Sequence, residues 1–372
     1  MPPLSRADNS LLGRWWWSVD HWTLGAIGTL IGLGYVMMLA ASPAVAERIG
    51  TSRETFIFKQ VFFLAIAGLV VVGVSMLSPR EIRRLAMIGC AVALVMTAMT
   101  MVVGMDIKGA RRWISLPGMS VQPSEFLKPC FAVTAAWLLA EGKRSPRFPG
   151  MLLAGGICAI ILLLLKSQPD IGMLLVVTSV FLAQLYVNGL PLYLVGAAVG
   201  LMGGGAVMAY TFLPHVRVRF DGYWKGEGDH YQINTALEAF GNGGFMGRGA
   251  GEGRVKDILP DAHADFVYAV AGEEFGMILC AIILSIFAFI VMRGLLRLLR
   301  EQDLFVVLSC TGLVTGFGLQ AFINMASTLG LIPTKGMTLP FISYGGSSAI
   351  AIALGMGMLL ALTRRRSRDE PG

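Results

Sequence analysis

The stretch LPDAHADFVYAVAGEEFG, residues 259–276, places Asp261, His263, Asp265, Glu273 and Glu274 at the mouth of a long apolar run. A charge in hydrocarbon is costly unless it is paired or faces water. These acids therefore mark ion pairs, hydrogen-bond acceptors or the rim of a wet cavity. Asp265 stands where the run begins, and a carboxylate in a partly desolvated pocket suits general-base work on a hydroxyl nucleophile. A helical turn takes about 3.6 residues, so the small residues Ala269 and Gly272 lie beneath it and leave room. The plainer reading of Asp265 is an N-cap carboxylate. Glu274 falls on about the opposite helical face, and both glutamates are read as acceptors of interhelical hydrogen bonds.

Further polar clusters interrupt other apolar stretches. In GARRWISLPGMSVQPSEFLKP, residues 109–129, Glu125 and Lys128 share a helical face and can pair. They either staple two helices or form the wall of a water-filled cavity with Arg111 or Arg112 above it. Asp170 of the QPD stretch is a solvated loop carboxylate or, facing inward, a partner for those basic groups. The long loop 213–265 carries a short helical pattern near 231–240 and a glycine-rich turn at 241–253, flanked by Arg248, Arg254 and Lys256. Glycine-rich turns can offer backbone N–H groups to phosphate, but this one matches neither nucleotide fingerprint and no strand precedes it. Its basic residues suit an anionic substrate. In GLIPTKGMTLPFISYGGSSAI, residues 330–350, prolines and small polar residues predict an irregular re-entrant entry, lined by Lys335, Ser343, Ser347 and Ser348.

The elements that must position these groups are membrane helices. The 372 residues are 55% hydrophobic and only 14% charged, with a mean hydropathy of +0.68, which excludes an ordinary water-soluble domain. Spans of about 17–25 residues are expected at 22–42, 59–78, 84–105, 124–141, 150–166, 171–188, 190–212, 266–292, 304–328 and 342–362. The long run around KSQPDIGMLL is split because proline and a charge end a lipid-facing helix together. The expected fold is an all-α polytopic membrane protein of about ten transmembrane helices, with the large extracytoplasmic loop between helices 7 and 8. Arg6, Arg14, Arg80, Arg83, Arg84, Lys143, Arg144, Arg147, Arg293, Arg297, Arg300, Arg364, Arg365, Arg366 and Arg368 all fall on one side, so both termini are expected in the cytoplasm. The organisation is then a cytoplasmic segment 1–21, a transmembrane domain 22–363 and a cytoplasmic tail 364–372. The opening stretch is too polar, and the first span too long, for a cleaved signal peptide. GRWWWSVDHW reads as an aromatic interface anchor.

Two function classes fall away. The net charge of +7 follows from the positive-inside pattern and needs no nucleic acid partner. The five cysteines lie in or beside apolar runs without C-x-x-C or metal-ligand spacing and are read as packing residues.

Taken in order, RRWI with QPSEFLK, then QPDIG, then YQ…AFGNGGFMGRG…LPDAHADFVYAVAGEEFG, then PTKGMTLPFISYGGSS resemble the SEDS family of cell-wall polymerases over nearly the whole chain. AASPAVAERIG after the first span leans toward the cell-division branch, in its alphaproteobacterial form. The resemblance implies a peptidoglycan glycosyltransferase of the bacterial cytoplasmic membrane at the division septum. Such an enzyme joins lipid II through β-1,4 bonds to a growing glycan and releases undecaprenyl pyrophosphate on the outer face. Asp265 aligns with the carboxylate the family uses for catalysis. Arg112, Glu125, Lys128, Asp170, Arg248, Arg254, Lys256, His263, Lys335, Ser343 and Ser347 are then expected around substrate and pyrophosphate. Ala264 departs from the family's threonine, Thr235 and Ala236 replace a common Gln-Ser pair, and Gly253–Lys256 replaces Ser-x-Gln-Lys. The implied partners are a class B penicillin-binding protein, the septal transpeptidase, and other divisome proteins. A divalent cation, Mg or Mn, bridging pyrophosphate to Asp170 or Asp265 is an open alternative, as are a lipid II flippase and a non-catalytic scaffold.

Overall fold

The computed structural model describes residues 10–49, 53–107, 110–116, 119–212, 217, 230–259, 261–333 and 336–364. The expectations for Lys335, Arg6, most of 213–229 and the tail from Arg365 lie outside the described residues.

The apolar runs form helices. In chain order these are α1 (Leu11–Ser18), α2 (His21–Ile49), α3 (Arg53–Ser75), α4 (Pro79–Val103), α5 (Pro123–Arg144), α6 (Gly150–Ser167), α7 (Ile171–Val187) and α8 (Leu192–Phe212). They continue with α9 (His230–Gly243), α10 (Val255–Ile258), α11 (Val267–Leu298), α12 (Leu304–Thr328) and α13 (Gly346–Leu362). Among the described residues, six segments are long and apolar enough to cross a membrane: His21–Ala41, Ile57–Ser75, Pro79–Val103, Gly150–Ser167, Val267–Leu298 and Leu304–Thr328. The rest of the expected spans coincide with α5, α7, α8 and α13.

α5 shows why a central helix departs from an apolar composition. It packs against α4, α6, α7, α12 and α13, so protein covers it on all sides. Glu125 is buried within it beside Leu127, Cys130 and Phe131. Charges survive there because other side chains, not lipid, surround them. Pro129 removes the N–H that would have met the Glu125 carbonyl one turn back, which loosens the helix at this depth.

Local signals set the helix ends. Ser78 and Glu81 form a capping box at the start of α4, Asp303 caps α12 through Phe305 N–H, and Asp170 caps α7 through Met173 N–H. The break at Gln168–Asp170 is where proline and charge predicted it.

Two features depart from the expected all-α pattern. Between α4 and α5 the chain folds into antiparallel strands β1 (Met105–Ile107), β2 (Ala110–Leu116) and β3 (Met119–Val121), ordered β1-β2-β3. Met105 pairs with Trp113 and Ile114 with Val121. Outside the bundle the backbone groups of RRWISL have no helix to join, and pairing with neighbouring strands satisfies them. The second departure is in α11, where Gly276 adopts φ 78°, ψ −178° and divides the helix in two. Residues 244–249 fill the break. Arg248 and Gly249 N–H donate to the carbonyls of Glu273 and Glu274, while Met277 and Ile278 N–H donate to those of Gly244 and Phe245. Each half-helix end thus finds the partners that its own turn no longer supplies.

Candidate functional site

Asp265 closes a tight turn over residues 261–266. Asp261 sits in the left-handed region at φ 53°, which aspartate tolerates better than most residues. Its carbonyl accepts the N–H groups of Ala264 and Asp265, both at 3.0 Å. The helix that follows has Phe266, not Asp265, at its N-cap position. The segment 336–345 zips onto the turn: Tyr344 N–H donates to the His263 carbonyl at 2.9 Å, Ser343 Oγ donates to the Ala264 carbonyl at 2.5 Å, and the rings of His263 and Tyr344 lie 5.3 Å apart. Gln60 of α3 holds the Ser343 carbonyl from behind. Phe341 takes φ 63°, a strained state for an aromatic residue, and is held there by burial. α2 passes so close that a Cβ on Gly34 would meet the Phe341 carbonyl oxygen at 2.1 Å.

Beside this turn, side chains from α5, α12, α13 and the 336–345 segment close a ring. Lys128 Nζ lies 2.8 Å from Glu125 Oε2 and donates to Gln320 Oε1 at 2.6 Å. Gln320 Nε2 donates to Thr338 Oγ1 at 3.3 Å, Thr338 Oγ1 meets Ser348 Oγ at 2.7 Å, and Ser348 Oγ donates to Glu125 Oε2 at 3.1 Å. The hydroxyl hydrogens can run in one sense round the ring and end on the Glu125 carboxylate, so that every member is satisfied, as a buried polar network requires. Beneath it a cavity of about 50 Å³ opens, lined by Glu125, Lys128, Phe317, Gln320 and Met356.

Arg112 of β2 grips the α6–α7 break. Its Nε donates to the Gln168 carbonyl at 2.9 Å, one Nη to the Pro169 carbonyl at 2.6 Å, and the other lies 3.5 Å from Asp170 Oδ2. Asp170 is therefore buried and faces inward. Burial pushes its carboxyl above the ordinary range, an effect opposed by the Arg112 guanidinium and the Met173 N–H. Gln122 bridges Asp170 to Ser124, and its N–H reaches Ser347 Oγ at 3.4 Å.

The glycine-rich turn is bound to α11. Several N–H groups in and just after it are taken: Arg248 and Gly249 donate to the Glu273 and Glu274 carbonyls, Gly251 donates to Glu274 Oε2, and Arg254 and Val255 donate to the Glu273 carboxylate. The two glutamates are acceptors between helices, as expected: Glu273 of α11 takes the N–H groups of Val255, the first residue of α10, and of its N-cap Arg254, and Glu274 also takes a loop N–H from Gly251. Lys256 was expected toward substrate; it turns inward instead, with Nζ 2.5 Å from Glu274 Oε1 and also bonded to the Ala40 and Gly251 carbonyls. Desolvation makes this closed pair the more favourable state of an ammonium that the short helix α10 packs into the core. Arg248 is exposed and bonded to Asn242, and the Arg254 side chain is exposed.

Sequence reasoning missed Gln320, Asn324 and Thr328. Their spacing of four puts them on one face of an otherwise apolar helix, a signal that stands in the sequence without naming their partners. Among the described residues no three His, Cys, Asp or Glu side chains gather to hold a metal ion. Asp170, one of the two carboxylates considered for a cation bridging to pyrophosphate, is held by Arg112 and the Met173 N–H.

Comparison with known proteins agrees with this architecture. The FtsW/RodA/SpoVE cell cycle protein model matches residues 21–368. The chain is 41% identical to the probable peptidoglycan glycosyltransferase FtsW of Caulobacter vibrioides, covering 97% of this chain and 93% of that protein. It is 36% identical to the protein of the same name from Geobacter sulfurreducens, over 89% and 91%. Among solved structures, a chain of a peptidoglycan synthase complex superposes with a TM-score of 0.76 at 25% identity, over 93% of this chain and 97% of that one. The rod shape determining protein RodA of Thermus thermophilus gives 0.68 at 26%, over 94% and 97%. With its family model spanning nearly the whole helical bundle, the chain belongs to the FtsW/RodA/SpoVE cell cycle protein family.

Proposed function

We propose that this protein is a peptidoglycan glycosyltransferase of the cytoplasmic membrane that polymerises lipid II during septal wall synthesis. The observation that carries the reading is the placing of Asp265 on a braced turn beside the Glu125–Lys128 ring, in a chain with close, full-length relatives named for this activity. In this reading Asp265 accepts the proton of the acceptor 4-hydroxyl as that oxygen bonds to the anomeric carbon of the donor. The bond from that carbon to the diphosphate breaks, and its electron pair leaves with the diphosphate. A positioned base contributes on the order of 10²–10⁴ in rate. Arg112, Lys128, Arg248, Arg254, His263 and Lys335 supply positive charge or donors to the leaving diphosphate, with Glu125, Asp170, Ser343 and Ser347 orienting them. Lys256 leaves that set because, unlike Lys128, which lines the cavity under the ring, it is enclosed by Glu274 and the Ala40 and Gly251 carbonyls.

The same reading places the site on the outer side. Arg80, Arg83 and Arg84 open α4, Lys143 and Arg144 close α5, and Arg293 and Arg297 close α11, all at the helix ends opposite the site. With α5, α7, α8 and α13 crossing as well, both termini are cytoplasmic. A septal transpeptidase is the proposed partner, in keeping with the synthase-complex chain that this fold matches.

The test is lipid II polymerisation by the purified protein with its cognate transpeptidase, whose own catalytic serine is removed. Wild type is compared with Asp265→Ala at matched folding and complex formation. Long glycan from wild type alone supports the reading. Equal product from both removes Asp265 as the base, and no product from either leaves transport or scaffolding as the function.

A further inference from the structure

We infer that Asn324 is a positioning residue that holds Asp265 in register with the segment 336–339, an inference that rests on Asp265 being the base. Asn324 is 1% exposed, and its Nδ2 donates both hydrogens to main-chain carbonyls, Asp265 O at 2.9 Å and Met337 O at 2.6 Å. One amide thus ties together two segments far apart in sequence. Thr328, one turn on, adds a longer contact to the same Asp265 carbonyl at 3.5 Å. Gln320, one turn back, donates to the Thr338 carbonyl at 3.0 Å while accepting from Lys128. α12 is therefore a ruler that sets the spacing between the Glu125–Lys128 ring and Asp265.

The consequence for Asp265 is geometric. A Cβ built on Gly336, which has φ 60°, would stand 3.6 Å from Asp265 Oδ2, so the carboxylate lies over this glycine. The Asn324 bridge fixes the backbone on both sides of that contact. A misplacement of about 1 Å in a reacting group costs on the order of 10²-fold in rate, and among the described residues Asn324 is the α12 side chain that bonds both segments at once.

A plain structural role must be separated from this. Gln184 is the control: it is also fully buried and also bridges two carbonyls, Ala132 O at 2.6 Å and Leu308 O at 3.0 Å, away from Asp265. Asn324→Ala, Gln184→Ala, Asp265→Ala and wild type are assayed in complex with the transpeptidase. The rate is expressed per lipid II-binding site, and kcat is followed against pH. For Asn324→Ala a fall in kcat of about ten- to a hundredfold is expected, with KM within about twofold and the acid limb of the kcat profile displaced, because the carboxylate sits in altered surroundings. Gln184→Ala is expected to lose binding sites but keep wild-type kcat per site and the wild-type acid limb. If Asn324→Ala does not fold, Asn324→Ser, which keeps one donor, is read by the same criteria. Wild-type kcat per site with an unmoved acid limb in a folded Asn324 variant overturns the inference while leaving Asp265 as base. Full activity of Asp265→Ala overturns both.

Discussion

Lys256 Nζ and Glu274 Oε1 meet at 2.5 Å with both side chains shut off from solvent. The pair fastens the glycine-rich loop to the first half of α11, and the same ammonium reaches the Ala40 carbonyl of α2. Breaking a buried pair by removing one partner leaves an uncompensated charge and costs about 3–5 kcal/mol. Lys256→Met and Glu274→Gln are each expected to lower the thermal midpoint sharply in detergent. Lys256→Met combined with Glu274→Gln is expected to recover part of the loss. A double variant as unstable as the sum of the singles would show that the two side chains act independently.

The break in α11 depends on Gly276. Its φ of 78° is strained for other residues, and a Cβ there would meet the Phe245 carbonyl at 2.3 Å. Gly276→Ala is expected to reduce the yield of folded protein severely. Gly155→Ala is the contrast, since a Cβ at Gly155 meets nothing within 4 Å, and alanine favours a helix by about 1 kcal/mol. Folded yield after gel filtration separates them; equal yields would mean that α11 can straighten at no cost.

Arg112 binds the Gln168 and Pro169 carbonyls and Asp170 with a planar fork. A lysine keeps the charge but cannot span all three. If geometry is what matters, Arg112→Lys is expected to polymerise lipid II as poorly as Arg112→Ala. Near-wild-type activity of the lysine variant would instead assign Arg112 a simple charge effect on the diphosphate.

At the opposite end of the bundle, Asp20 joins the entry of α2 to the end of α11 through Arg293 at 2.7 Å and Arg297 at 3.1 Å. Burial pushes its carboxyl up, but hydrogen bonds from Arg293 and Thr23 and the charges of Arg297 and Arg293 outweigh it and hold the group below its usual 3.8. A depressed carboxylate contributes stability above its unfolded value and loses it as pH falls through the folded one. The thermal midpoint of wild type is thus expected to drop below about pH 4 by more than that of Asp20→Asn. Parallel pH curves would remove Asp20 as a source of acid sensitivity.

Much of the framework was legible in contiguous chain. Apolar length marked the helices, Pro169 with Asp170 marked the α6–α7 break, and the spacing of Glu125 and Lys128 was enough to predict their pairing, because these are properties of neighbours on one helix. The tertiary structure alone decided which way Lys256 turned, that Gln320, Thr338 and Ser348 close a ring on Glu125, and that Asn324 reaches Asp265. Those partners lie on different elements, and only the packing of α5 against α12 and α13 brings their atoms together. The strands around Trp113 and the break at Gly276 belong to the same class. Gly276 looks in sequence like Gly312 or Gly355 in unbroken helices, and it differs because residues 244–249 come back to take up the hydrogen bonds that a bent helix releases.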